Sequence, residues 1–371
     1  MRVIVSGGGT GGHVYPALAI ADGLRLRHPT AEILYVGTRN GLEHDIVPRT
    51  GYQFYAISGA GLKRRFTPGN LVTLWRAARG LAEAWVLLSR FKPDVVVGTG
   101  GYVCGPVVLA AVCKRVPTLI HEQNAFPGLT NRILARFASC TTLTFGEAVR
   151  YLPHKARVRI TGLPVRPEIL AARRDEARAY YGLDNIFTVV SFGGSRGARS
   201  INEAMVEVCR ALKDDPAVRL YHATGRAQYD AFLKSLGDVQ ISLSAARNIN
   251  IEPYFYDIAR LLAAADLVIS RAGASTIAEI TALGIPSILV PYPFATGNHQ
   301  EHNARALVRQ GAAVLVPDRD LSGDVLLRLI EGLRRDVERR QRMAEAARAL
   351  GKPDALERLL DIIDRLAVRR S

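Results

Sequence analysis

At 371 residues the chain is too long for one ordinary core and suits two domains of common size. Hydrophobic residues make up 48% and charged residues 22%, which excludes a disordered chain, and the net charge of +15 points to polyanionic partners. No run of ~18 apolar residues is present to span a bilayer, and the opening Met1-Arg2-Val3-Ile4-Val5 reaches glycine too soon to read as a secretory signal.

The charge is unevenly placed. Residues 1–163 carry twenty Lys/Arg against eight Asp/Glu, residues 164–351 carry 24 against 22, and residues 352–371 five against four. An excess confined to the first half predicts one domain that faces nucleic acid, anionic lipid or a phosphorylated substrate. No nucleic-acid-binding motif accompanies it, so no nucleic-acid partner is expected. Cys104, Cys113, Cys140 and Cys209 lack metal or redox spacing and are expected to fill cores in a reducing compartment.

In chain order, strands are expected at Val3–Ser6, Ile33–Val36, Val95–Gly98, Thr118–His121, Thr188–Ser191, Leu267–Ser270 and Ser287–Val290, with helical stretches between them. The order of signals repeats. Val3–Ser6 runs into Gly7-Gly8-Gly9-Thr10-Gly11-Gly12, and Val189–Phe192 runs into Gly193-Gly194-Ser195-Arg196-Gly197. Asp94–Val97 leads to Gly100-Gly101, a helix, Val116-Pro117 and a strand; Asp266–Ile269 leads to Gly273, a helix, Ile285-Pro286 and a strand. This duplication predicts two Rossmann-like domains, 1–163 and 164–351, hinged near Gly162–Pro167. Leu356, Leu359, Leu360, Ile363 and Leu366 give the tail helical spacing, and 352–371 is expected to pack back on the first domain. Parallel sheets bind ligands beyond their carboxyl ends, so two such domains facing a central cleft suit a two-substrate transfer.

Glycine at a helix start lets backbone N–H groups approach an anion that the helix dipole also favours. Three turns have this character, at Gly7–Gly12, Gly98–Gly101 and Gly193–Gly197. Gly7, Gly9 and Gly12 also match the dinucleotide fingerprint. A nicotinamide enzyme would need an acidic side chain ending the second strand, whereas this strand runs into Gly37-Thr38-Arg39. Oxidoreductase chemistry remains the alternative reading of that turn alone.

Gly8-Gly9-Thr10-Gly11-Gly12-His13, His121-Glu122-Gln123-Asn124, Gly193–Gly197 and Arg271-Ala272-Gly273-Ala274-Ser275-Thr276, in this order, resemble the MurG family over essentially the whole chain. The family's members are bacterial UDP-N-acetylglucosamine transferases that act on undecaprenyl-pyrophosphoryl-N-acetylmuramoyl-pentapeptide, lipid I, to form lipid II for peptidoglycan. The resemblance implies a GT-B fold and an inverting transfer that needs no metal and no cofactor. It places the donor UDP-GlcNAc in the C-terminal domain and the lipid-linked acceptor against the N-terminal one. By the same resemblance Arg166 and Ser195 contact the diphosphate, and Phe255 takes the position whose backbone reads uracil. Ala274, Ser275, Thr276, Ile277, Ala278 and Glu279 line the nucleoside, with Glu279 on the ribose hydroxyls, and Gln300 meets the sugar. Thr10, Gly11, Gly12 and Asn124 approach the donor's reacting centre from the other wall. Gly9, Gly100, Gly101, His121 and Glu122 are the candidate contacts to the acceptor and its pyrophosphate. Two positions depart from the family pattern: an aromatic at 255, commonly aliphatic, and Leu163 where asparagine is usual. A related transferase with another lipid acceptor, a UDP-sugar epimerase on the same fold and a non-catalytic, membrane-bound sugar-nucleotide sensor are the alternative readings.

An inverting transfer needs a base for the acceptor hydroxyl and a group to hold the departing diphosphate. His13 follows the first glycine turn, where imidazole suits proton abstraction and the positive helix end favours its neutral form. The alternatives are that it orients the turn or donates to phosphate. His121 and Glu122, at a strand end, either position the acceptor or brace the loop. Lys63-Arg64-Arg65-Phe66 precedes a helical stripe of Leu71, Leu74, Trp75, Ala78, Leu81, Trp85 and Leu88, with Arg76 and Arg79 beside it. Apolar anchors ringed by cations describe an element lying on anionic lipid, whereas the bland reading is a core helix. The expected setting is therefore peripheral, on the cytoplasmic face of the cell membrane, with other cell-wall synthesis proteins as possible partners.

Overall fold

A computed structural model describes residues 1–59, 69–194, 196–243 and 246–368, with the backbone alone for 69–74. It divides into two compact units, Met1–Pro164 with Pro353–Ser371, and Val165–Lys352.

The first unit holds seven strands: β1 Arg2–Gly7, β2 Glu32–Gly37, β3 Gln53–Ala56, β4 Val95–Gly100, β5 Thr118–Glu122, β6 Cys140–Leu143 and β7 Val158–Ile160. They form one parallel sheet in the order β3-β2-β1-β4-β5-β6-β7. A parallel sheet is covered on both faces, and the side chains alternate accordingly. Val3, Val5, Ile33, Tyr35, Val95 and Val97 pack on one side with Val14, Ala17 and Leu24 of helix Gly11–Arg27. Ile4, Leu34, Val36, Val96 and Ile120 pack on the other with Ala84 and Leu88 of helix Gly69–Phe91 and Val107 and Val108 of helix Cys104–Cys113.

The C-terminal helix, Ala355–Val368, belongs to this unit although 188 residues of the other unit precede it. Leu359, Leu360, Ile363 and Leu366 complete the first face. Gly23 makes the approach possible, because a Cβ there would lie 3.0 Å from both Leu356 and Leu360. At the rim Arg27 pairs with Glu357, Asp361 and Asp364, the last two at 2.7 and 3.1 Å, and His28 Nε2 meets Asp364 at 2.8 Å.

The second unit repeats the plan with six parallel strands: β8 Phe187–Phe192, β9 Val218–Ala223, β10 Ile249–Glu252, β11 Leu267–Ser270, β12 Ser287–Leu289 and β13 Ala313–Leu315. Their order is β10-β9-β8-β11-β12-β13. Both expected sheets are therefore present and parallel, and every strand read from the sequence lies in one of them. The unexpected strands are β3, β6, β7, β9, β10 and β13. They are short, threonine-rich or carry arginine, and only neighbouring strands make strands of them.

Two sequence expectations change. Cys104, Cys140 and Cys209 are buried, but Cys113, at the end of its helix, is exposed and fills no core. The apolar stripe of helix Gly69–Phe91 also divides: Leu88 is buried with Ala84, while Trp75 and Trp85 are 62% and 44% exposed. Lys63, Arg64, Arg65 and the side chain of Leu74 lie outside the described residues. Because Leu359 is fully buried, Leu359→Ala should remove ~2–5 kcal/mol from the first unit. Urea denaturation should then show an earlier transition for that unit and an unmoved one for the other.

Candidate active site

In each sheet the strand order reverses at one place, between β1 and β4 and between β8 and β11. There the connecting helices leave on opposite faces and open a crevice at the carboxyl ends. The glycine turns lie at these two places.

In the first unit the two turns touch. Gly8 N–H donates to Gly100 O at 3.3 Å, and a Cβ on Gly101 would sit 2.2 Å from Gly8 O. Gly100 and Gly101 have φ of +106° and +84°, which L side chains avoid. Thr10 is the N-cap of helix Gly11–Arg27, and His13 lies in its first turn. Thr10 Oγ1 and His13 Nδ1 are 3.0 Å apart, and Thr99 Oγ1 donates to the His13 carbonyl at 2.8 Å. The imidazole edge lies against Gly100, where a Cβ would come within 2.7 Å of Cδ2. Thr10, Gly11, Gly12, His13, Gly100 and Gly101 are thus brought together.

Gly9 belongs to this turn but does not present its N–H to a ligand. Glu43, fully buried on helix Leu42–Ile46, accepts from Gly9 N–H at 2.9 Å through Oε2. Its Oε1 accepts from the Thr38 N–H and hydroxyl at 3.0 and 2.8 Å. Gly8, Gly37 and Gly41 pack around the same side chain, where a Cβ would come within 2.4, 2.5 and 2.1 Å of it. This corrects the expectation that the whole first turn cradles a ligand anion: one donor is held by an internal carboxylate. Sequence reading sought an acid at the end of β2 and missed one six residues beyond Gly37. The available signal was a glutamate two residues after Gly41, in the first turn of a helix.

His121 and Glu122 require a second correction. Both are buried at the end of β5. His121 Nε2–H donates to Gly162 O at 3.0 Å, and burial pushes its pKa down to about 4, which keeps the ring neutral. Glu122 Oε1 accepts from Asn124 N–H at 3.0 Å; its Oε2 accepts from Gly128 N–H and Asn131 Nδ2 at 3.0 and 2.8 Å. Burial raises the Glu122 carboxyl above the usual range, against the pull of these donors. Of the two readings the geometry favours bracing, because the Glu122 oxygens are taken by the loop that carries Asn124 and the His121 ring is held on the Gly162 carbonyl.

In the second unit Gly273 is the N-cap of helix Ala274–Leu283. Glu279 Oε1 accepts from Arg166 Nε at 2.8 Å, with the carboxylate side chain only 13% exposed. Burial raises the Glu279 carboxyl, and the Arg166 guanidinium opposes that rise. Ala274, Ser275 and Thr276 open the helix, but the Ile277 and Ala278 side chains point into the core, so only their backbone can serve a site. The half-buried Phe255 ring stands 6.1 Å from Tyr221, and Gln300 Oε1 accepts from Tyr292 N–H at 2.9 Å. Ser195 lies outside the described residues. Gly197 has φ +75° and packs on the Thr224 carbonyl, where a Cβ would come within 2.0 Å.

Arg271 has no counterpart among the expected roles. Nη1 donates to the Val290 and Pro291 carbonyls at 3.1 Å each and pairs with Asp318, while Nη2 donates to Ser200 Oγ at 2.9 Å. One guanidinium thereby ties the ends of β11 and β12 to the helix Arg199–Leu212 that follows the glycine turn.

Two doubly wound parallel sheets with glycine turns at their switch points are the two Rossmann-like domains of a GT-B fold. Residues 3–142 match the glycosyltransferase family 28 N-terminal domain and residues 188–359 the family 28 C-terminal domain. The chain belongs to glycosyltransferase family 28 and, within it, to the MurG family. It is 60% identical to a protein of Desulforudis audaxviator (strain MP104C) over 99% of each chain. It is 52% identical to one of Desulforamulus reducens (strain ATCC BAA-1160 / DSM 100696 / MI-1) over 100% of each. Both relatives are named UDP-N-acetylglucosamine–N-acetylmuramyl-(pentapeptide) pyrophosphoryl-undecaprenol N-acetylglucosamine transferase. The crystal structure of MurG from Acinetobacter baumannii aligns with a TM-score of 0.79 at 30% identity, covering 98% of this chain and 99% of that one.

Removing the Glu43 carboxylate should leave the Gly9 and Thr38 amides without their acceptor, at ~1–3 kcal/mol for each. Glu43→Ala is expected to lower the urea midpoint and to speed exchange of the Gly9 and Thr38 amides. Unchanged protection of those two amides would show that the carboxylate does not hold the turn.

Proposed function

We propose that the chain transfers N-acetylglucosamine from UDP-N-acetylglucosamine to the 4-hydroxyl of the muramoyl unit of undecaprenyl-pyrophosphoryl-N-acetylmuramoyl-pentapeptide, inverting the anomeric centre. The observation that carries this reading is kinship along the full chain: relatives 60% and 52% identical, matched end to end, bear that transferase name. The geometry supports it. In the reaction the acceptor oxygen bonds to the anomeric carbon, the bond to the UDP oxygen breaks, and UDP leaves with the electron pair. His13, set by Thr10 and Gly100 at a helix start, takes the hydroxyl proton.

Departure of the diphosphate needs positive charge where negative charge grows. Arg166 uses Nε on Glu279, while Nη1 lies 3.7 Å from the exposed Glu168, so the Nη edge is placed to take phosphate oxygens. The helix start at Gly273 adds its dipole. Glu279 is the acceptor for the ribose hydroxyls. With Gly9 N–H held by Glu43, the acceptor's pyrophosphate falls to the Gly100–Gly101 turn and the helix start at Gly11 and Gly12.

The test is incubation with labelled UDP-N-acetylglucosamine and a short-chain analogue of the lipid acceptor, with the product resolved. A disaccharide-linked lipid is expected. His13→Ala should lower turnover by ~10²–10⁴-fold, the range for a general base, while calorimetric UDP affinity stays near wild type. Wild-type turnover in that variant would make His13 structural.

The same reading places the protein on the cytoplasmic surface of the membrane that holds its lipid acceptor. The support is the outer face of helix Gly69–Phe91: exposed Trp75 and Trp85, with Arg79 stacked 5.8 Å over Trp75 and Lys114 Nζ 4.1 Å over Trp85. Indoles ringed by cations suit a headgroup boundary. Among the described residues no helix is long and apolar enough to cross a membrane. Wild type should sediment with anionic vesicles at low salt, and Trp75→Ser with Trp85→Ser should release it while UDP affinity is kept. Equal pelleting of the double variant would remove this face from the interface.

A further inference from the structure

The first unit carries a second basic feature, away from the glycine turns. A cavity of about 980 Å³ lies between the edge strand β7, the segment joining β6 to β7, and the C-terminal helix. Ser139 and Arg157, which lead into β6 and β7, line it, so it opens toward the amino ends of the strands, opposite the ends that carry the glycine turns. Arg150, His154, Arg157, Arg159 and Arg365 line it, and no aspartate or glutamate does.

Charge segregation on the C-terminal helix explains the missing acids. Its Glu357, Asp361 and Asp364 are drawn to Arg27 and His28 on the other side. Arg365 is left facing the cavity, its Nε donating only to the Asp361 carbonyl. Arg150 stacks 4.7 Å over Tyr151, and Arg159 Nη1 donates to the Val158 carbonyl. Among the described residues none of these arginines has a carboxylate within 4.0 Å. Burial raises the Cys140 thiol, while Arg159 from the strand and Arg365 from the helix pull the other way, so both guanidinium groups bear on one point. Like charges gathered around one cavity repel, and an anion between them relieves that repulsion.

We propose that this cavity is a binding site for a phosphate group, separate from the transfer site. Guanidinium forks match phosphate oxygens in pairs, and the volume is that of a small-molecule site rather than of one bare ion. Val149, Leu152 and Leu366 give it an apolar side that accepts the organic part of such a ligand. Two sources share this chemistry: a free polyphosphate and the headgroup of an anionic phospholipid.

The experiment is titration calorimetry with saturating UDP present, which occupies the proposed donor site. The probes are inorganic pyrophosphate and, separately, dihexanoyl-phosphatidylglycerol below its micelle concentration. At least one is expected to show binding that depends on the cavity arginines, and that one identifies the source; pyrophosphate held at the Gly100–Gly101 turn would persist when those arginines are replaced. Arg157→Ser, Arg159→Ser and Arg365→Ser together should weaken it by at least about a hundredfold, since each lost charged hydrogen bond is worth roughly tenfold or more. Raising salt should weaken wild type and barely change the variant. The urea transition of the first unit, which holds all three arginines, reports whether the variant is folded; if it is lost, Arg157→Lys alone, which keeps charge but loses the fork, replaces it and should weaken binding about tenfold. The proposal is overturned if neither probe binds wild type, or if the folded variant binds as tightly as wild type.

Discussion

Backbone meeting backbone at the switch points is the constraint on which the site depends. Where β1 and β4 end, the Gly8 carbonyl occupies the volume that any Cβ on Gly101 would need. Where β8 ends, Gly197 lies against the Thr224 carbonyl in the same way. Such contacts bring turns close enough for N–H groups and a helix start to converge on one small volume, and they allow no side chain. His13 takes its place from this packing, since its ring edge lies on the bare face of Gly100.

Turns built of glycine are poor at holding themselves, because glycine loses the most conformational freedom on folding. Buried side chains supply the missing order. Glu43 gathers the first turn and the end of β2 onto one carboxylate, Glu122 shapes the loop of Asn124, and Arg271 anchors the ends of β11 and β12. Each is an ionisable group whose polar atoms are taken up by backbone groups, neutral side chains or an opposite charge, the condition under which such a group can be buried. The side chains expected to meet substrate, Thr10, His13, Arg166 and Glu279, are more exposed. Stiff internal braces behind reactive groups keep those groups in place without using them up.

Charge is sorted by the same packing. Acids of the C-terminal helix gather on Arg27, which leaves basic groups uncompensated on the opposite side of that helix. On helix Gly69–Phe91 the buried side takes Ala84 and Leu88, and the outer side keeps its indoles beside cations. An excess of positive charge in one half of a chain thereby becomes separate surfaces rather than a uniform coat.

The sequence by itself determined the two parallel sheets, their duplicated order of strand, glycine turn and helix, and the residues around His13 and Glu279. Local periodicity and glycine spacing encode the sheets and their order, whereas the residues around His13 and Glu279 follow from the resemblance to the MurG family. Short edge strands such as β7 and β13 were not legible, because three residues become a strand only through a neighbour's hydrogen bonds. Neither was the direction in which His121, Glu122, Ile277 and Ala278 point: a residue type at a strand end or in a helix suits a ligand and a brace equally. Glu43 was hidden for the same reason, since its partners, Gly9 just beyond β1 and Thr38 just beyond β2, are brought together only by the sheet register. Only the tertiary structure decided these, because burial and hydrogen-bond partners depend on which segments become neighbours.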